Sequence, residues 1–169
     1  MNTSEVLLEA FGRIRKLVDQ SVSGCDPIGL AYRPEPGANS IAWLCWHLAR
    51  IQDDHVSEIA GLEQAWVTDG WHSRFGMEPD PHKTGQGDGP DEVAAIPPDG
   101  DLIMSHYAAI AARTAAYLAT AYEAELDRII DRSYDPPVTV GVRLVSVISD
   151  NVQHAGQARY LRGIVDRLG

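Results

Sequence analysis

An all-α four-helix bundle is the fold class this sequence predicts. Four long segments carry apolar residues at three- and four-residue spacing, and no stretch alternates convincingly enough to read as a strand. The length of 169 residues suits one domain, read as spanning residues 1–169. A chain of this size buries roughly two-thirds of the surface its unfolded form exposes, so it folds without a disulfide or structural metal.

The first helix spans residues 3 to 22, with Leu7, Leu8, Phe11, Ile14, Leu17, Val18 and Val22 recurring on one face and Thr3 or Ser4 as the cap. Ser23-Gly24-Cys25-Asp26-Pro27 breaks it. After the loop Arg33-Pro34-Glu35-Pro36-Gly37, the pair Asn39-Ser40 caps a second helix from Ile41 to Ile59, which stops at Gly61. Residues 62–100 form a long connection rich in Pro and Gly, with Trp66, Trp71 and Phe75 near its start. Such a connection tends to be a lid, a binding loop or an interface arm, and its apolar residues suggest a homodimer. The third helix runs from Asp101 to Tyr122, with Ile103, Tyr107, Ile110, Tyr117 and Leu118 on its buried side. A short turn at Leu126–Ile130 and Asp135-Pro136-Pro137 precede a fourth helix, Thr139 to Leu168.

Composition narrows the partners. A net charge of −10 without any Lys/Arg-rich run argues against nucleic acid. No apolar run approaches the roughly 18 residues of a membrane span, and the amphipathic start is unlike a signal peptide, so the expected location is the cytoplasm. Cys25 and Cys45 form no CxxC motif and are read as unpaired.

Chemistry concentrates on the fourth helix. Asp150 and His154 interrupt the stripe Leu144, Val147, Ile148, Leu161, Val165, Leu168, and their four-residue spacing stacks them on one face. Such a pair can chelate an ion in a bundle core, although a plain hydrogen-bonded pair on a solvated edge has the same spacing. His47, among Leu44, Leu48 and Ile51, is a third candidate, against the commoner reading of a satisfied core histidine. His55 competes, but lies two turns away, too far to share one small ion with His47. Asp54 is placed as an acceptor for the other ring nitrogen of His47. His72, His82 and His106 read as surface residues. Gln157 and Arg143 are candidates for orienting substrate, and Trp46, Trp66 and Trp71 for walling a pocket, beside plainer roles on an exposed face or in the core.

The segment from Asn39 to His55, NSIAWLCWHLARIQDDH, resembles the second helix of the DinB-like superfamily, closest to its mycothiol-transferase branch. The last helix is also similar, from Pro136-Pro137-Val138-Thr139 through Asp150, His154-Ala155-Gly156-Gln157 and Tyr160-Leu161-Arg162-Gly163, as are Gly70-Trp71 and Arg74-Phe75-Gly76. The resemblance implies an up-down-down-up bundle and a metal site whose ligands, carried over, are His47, Asp150 and His154. Many superfamily members have histidine where Asp150 stands; the aspartate is closer to the thiol-dependent maleylpyruvate isomerases, which use glutamate. Two histidines and a carboxylate leave a coordination position open, as catalytic zinc sites do, and the set also suits nickel or iron. The resemblance implies mycothiol as cosubstrate and a small electrophile as acceptor. A hydrolase using metal-activated water and a non-catalytic metal-binding module are the alternatives.

Overall fold

The computed structural model describes residues 1–121 and 123–168, so Tyr122, the expected end of the third helix, and Gly169 lie outside the described residues. In chain order the elements are α1 (Thr3–Val22), α2 (Pro27–Ala31), α3 (Ile41–Ala60), α4 (Ala65–Thr68), α5 (Trp71–Arg74), α6 (Pro90–Ala95), α7 (Gly100–Thr120), α8 (Glu123–Leu126), β1 (Ile129–Asp131), β2 (Val138–Thr139) and α9 (Val140–Leu168). The four expected helices are α1, α3, α7 and α9. Asn2, rather than Thr3 or Ser4, caps α1, through a capping box with Glu5. Ser40 caps α3 and Gly61 ends it in the left-handed region at φ 67°.

Side-chain bonds between helices give their directions. Ser4, at the start of α1, bonds the Ala121 carbonyl just past α7, so those two run antiparallel. Arg162, near the end of α9, donates to the Ser21 and Ser23 carbonyls at the end of α1, so those run parallel. Arg143 of α9 reaches Glu58 of α3 while His154 meets His47, an antiparallel pair. Tyr107 lies near Cys45 and Gln52 bonds Thr114, so α3 and α7 run parallel. The order is up-down-down-up. Each of α1 and α3 packs against both α7 and α9, around a core that includes Ile14, Val18, Leu44, Leu48, Ile110, Leu118, Leu144 and Val147.

Where a turn was expected at Leu126–Ile130, α8 and a short antiparallel ribbon stand instead, pairing Ile129 with Thr139 and Asp131 with Val138. The β-branched residues on both sides of the Pro turn favour it, but strands of three and two residues are too short for alternation to show.

The long connection after α3 is held by one buried ion pair. Arg50, with no exposed surface, donates to Asp53 (3.2 Å), Gln64 (2.7 Å) and the carbonyls of Pro81 (3.0 Å) and Lys83 (3.1 Å), and its guanidinium lies over the Trp66 ring. Asp53 accepts from the backbone N–H groups of Ala65 and Trp66, which begin α4. Thus fastened, the connection buries its own Trp66, Trp71, Phe75, Val93 and Ile96 within the chain. The apolar residues that suggested a homodimer are therefore largely covered by the chain itself.

His106 is not a surface residue. It is fully buried between Trp66, Trp71 and Phe75, with ring centroids at 5.8, 5.1 and 5.3 Å, and neither ring nitrogen has a partner. Burial, with Arg50 nearby, pulls its pKa down to about 3. Of the other two, His82 is exposed as expected, and His72 is half-buried against the Met77 carbonyl.

Two stability outcomes follow. Arg50→Met strands the Asp53 carboxylate and should cost about 3–5 kcal/mol in denaturant unfolding; a loss under about 1 kcal/mol would show that the pair does not hold the connection. His106 has a folded pKa below its unfolded value of about 6.5, so only the unfolded chain gains a proton as pH falls between the two. Stability is therefore lost on acidification from about pH 6.5 downward, by up to about 1.4 kcal/mol per pH unit. His106→Phe should remove that share of the slope between pH 6 and pH 4, and an unchanged slope would contradict it.

Candidate metal centre

The whole first half of α3, from Ile41 to Arg50, is buried, because the bundle covers one side and the fastened connection the other. His47 is therefore enclosed on both sides. Asp150 and His154 lie on the shoulder of the buried face of α9 rather than on its crest, which runs through Leu144, Val147, Asn151, Ala155, Ala158 and Leu161. Asn151 fixes that register: it donates to Gln52 (2.9 Å), which donates to Thr114 (2.7 Å), linking α9, α3 and α7 through buried amides.

His47, Asp150 and His154 converge. One candidate ligand atom from each lies within 4.8 Å of the other two, and His154 Nε2 is 3.5 Å from Asp150 Oδ1. The imidazole centroids are 4.7 Å apart and nearly perpendicular, at 81°. No other group of three such side chains was found among the described residues.

The hydrogen bonds set the tautomers. His47 Nδ1 lies 2.5 Å from the Thr84 carbonyl, which can only accept, so Nδ1 carries the proton and Nε2 keeps its lone pair. Asp54, the expected acceptor, instead takes a bond from Gln64. His154 Nδ1 lies 3.0 Å from Gln157 Oε1, leaving Nε2 turned to Asp150. Asp150 Oδ2 is buried and without a partner among the described residues, a costly state for a carboxylate oxygen. A cation ligated by these three side chains would satisfy that oxygen, so the residues fit the divalent ion that the resemblance implies.

Electrostatics agree. Burial pushes His47 below its ordinary pKa, against a smaller opposing pull from the Thr84 carbonyl, and holds it neutral as a ligand must be. Burial alone would raise Asp150, but the His154 hydrogen bond and the neighbouring histidines outweigh it and hold the carboxyl below the usual range. His154 is raised, chiefly by its bond to Asp150, so a cation held there would have to displace that proton.

The triad opens onto a cleft of about 420 Å³. Its aromatic wall is Trp43, stacked on His47 at 4.6 Å and 11° and anchored through Nε1 to Asp88 (3.0 Å). Trp46, Trp66 and Trp71 belong to the core instead. Gly85 presses the connection onto the site at φ 97°; a Cβ there would stand 2.8 Å from Trp46, 2.9 Å from His47 Nδ1 and 3.0 Å from Trp43. His55 does not join the triad, and Arg143 bonds it and Glu58 rather than lining the cleft. Gln157 orients His154. Sequence reading missed Trp43, Thr84 and Gly85; the four-residue step from Trp43 to His47 was the one available signal.

The family model for mycothiol S-transferases matches residues 6–167. The chain belongs to the mycothiol S-transferase family. It thereby belongs to the DinB-like superfamily, and membership brings with it a mycothiol-related, metal-dependent role. Among solved structures, a conserved protein from Enterococcus faecalis superimposes with a TM-score of 0.89 at 30% identity, over 98% of each chain. No curated protein matches the chain. No helix among the described residues is long and apolar enough to cross a membrane.

Zinc titrated into metal-free protein should bind at about one ion per chain, and His47→Ala or His154→Ala should each lose most of it. Gly85→Ala, whose Cβ would crowd His47 Nδ1 from a backbone at φ 97°, should weaken zinc about 10- to 100-fold in chelator competition. Full occupancy in both histidine variants would refute the site.

Proposed function

We propose that His47, Asp150 and His154 hold one divalent metal ion, zinc with nickel or iron as alternatives, and that the protein transfers mycothiol to a small electrophile. The observation that carries this reading is the buried Asp150 Oδ2, unpartnered among the described residues, beside the open Nε2 of His47 and the Nε2 of His154 turned to Asp150, on the floor of an open cleft. Family membership supplies the thiol. A divalent ion in the site supplies Lewis acidity that lowers a thiol's pKa, making thiolate available near neutral pH.

The chain's own residues prepare for that chemistry. Thr84 and Gln157 hold the two imidazoles in the ligating tautomer and orientation. Asp150 contributes the negative charge that offsets the cation. Among the described residues lining the cleft, no cysteine, serine or lysine offers a nucleophile. Burial pushes the Cys45 thiol up to about 12, and Cys25 does not line the cleft. The incoming thiolate forms the new sulfur–carbon bond, and the leaving group departs with the electron pair it held.

Zinc-loaded protein should conjugate mycothiol to a haloalkyl or bimane electrophile, and turnover should stop when either thiol or metal is withdrawn. Activity should rise with pH through a pKa below the free thiol's value of about 8.5. Asp150→Asn should lower turnover by at least about tenfold even where occupancy survives. Equal turnover with and without thiol would overturn the transferase reading in favour of a hydrolase.

A further inference from the structure

A second cavity of about 610 Å³ adjoins the metal cleft, between the segment leading into α3 and the outer face of α9. The two share Asn39, and the hydrogen-bonded pair His154–Gln157 forms the rim between them, with His154 lining the cleft and Gln157 the groove. A molecule with one end at the triad can therefore continue over Gln157 into the groove. Both cavities have volumes within the range of small-molecule sites.

The chemistry of the groove is distinctive for this chain. Of 169 residues, 38 are acidic or basic (14 Lys and Arg plus 24 Asp and Glu), yet none of those lines it. Its polar groups are the amides of Asn39, Gln153 and Gln157, which both donate and accept. Pro34 and Tyr160 add flat apolar faces; Tyr160 is 71% exposed and Gly156 leaves the floor open. Amides beside an aromatic face match a body rich in hydroxyls, whose groups also donate and accept and whose ring carbons present an apolar side. They match a charged peptide poorly, because a carboxylate desolvated there would meet no cationic side chain.

We infer that this groove seats the uncharged, hydroxyl-rich sugar body of the thiol cosubstrate while its sulfur reaches the triad. The assignment rests on the thiol-transfer reading above and makes the groove the element that selects a sugar-based thiol over glutathione.

Isothermal titration of the zinc-loaded full chain with desulfurised mycothiol, in which hydrogen replaces the thiol, reads the groove without the metal bond or turnover. The wild type should bind it. Gly156→Leu should weaken binding at least tenfold with zinc content unchanged. An added Cβ meets nothing within 4 Å at Gly156, and leucine is the better helix former, so the variant fills the groove without disturbing the bundle. Tyr160→Ala, which removes an exposed side chain, should weaken it as well. Undiminished binding in both variants, or a wild type that does not bind desulfurised mycothiol, would overturn the assignment. Wild-type binding lost in Gly156→Leu, with no thiol transfer to any electrophile, would uphold the groove and retire the transferase reading. Thiol transfer with an unchanged mycothiol KM in Gly156→Leu would retire the groove alone.

Discussion

The buried guanidinium of Arg50 is the interaction on which the rest of the site depends. A guanidinium with no exposed surface requires that its donors be met, and here they are met by Asp53, Gln64 and the carbonyls of Pro81 and Lys83. Lysine has neither the number of donors nor the planar fork to do the same. With Lys83 pinned, the next residue, Thr84, brings its carbonyl to His47, and Gly85 passes where no side chain would fit. A buried charge on α3 thus sets the tautomer of a histidine one turn earlier on the same helix, through a segment more than thirty residues downstream.

That arrangement divides the site into a rigid part and a fastened part. The positions of Asp150 and His154 follow from the register of α9, which the Asn151–Gln52–Thr114 chain locks against α3 and α7. The connection adds no side chain to the His47–Asp150–His154 group among the described residues; it supplies the Thr84 carbonyl behind His47 and one wall of the cleft. Asp88 ties that wall to Trp43 and to Lys83, so the wall is braced at both ends of its glycine-rich stretch.

Much of this was legible in the sequence, and the exceptions have a common cause. Caps and apolar periodicity located α1, α3, α7 and α9 to within a residue or two, because long amphipathic helices announce themselves locally. The Asp150–His154 pair was legible for the same reason, since four-residue spacing on a helix is geometry. Assigning His47 to the same cluster needed the family resemblance, because nothing local says which helices meet. Thr84 was illegible: it acts through a backbone carbonyl, which every residue possesses. Trp43 was passed over although its four-residue step to His47 put it on the same face, and His106 was taken for a surface residue although it sits three after Ile103 and four before Ile110. Its polarity suggested exposure, while its position in the apolar period pointed inward. The ground for the homodimer expectation was weakened in a similar way: it treated apolar residues in a long connection as uncovered, and a charge-anchored fold-back covers them.

The placement of the triad on the shoulder of the α9 stripe has a consequence for what the protein can discriminate. A triad on the crest would be sealed in the core, whereas on the shoulder it opens along the line between the two cavities, at Asn39 and the His154–Gln157 pair. On one side of that line stands the charged and glycine-rich wall of Gly85, Gln86, Gly87 and Asp88; on the other lies the uncharged groove of amides and Tyr160. The two sides are built from different parts of the chain and can change independently of the triad. Substitutions in the connection alter the space over the triad, and substitutions at Asn39, Gly156 or Tyr160 alter what can extend from it. Neither needs to disturb the amide chain that fixes Asp150 and His154. A bundle of this kind can therefore keep one triad geometry while varying what either side admits.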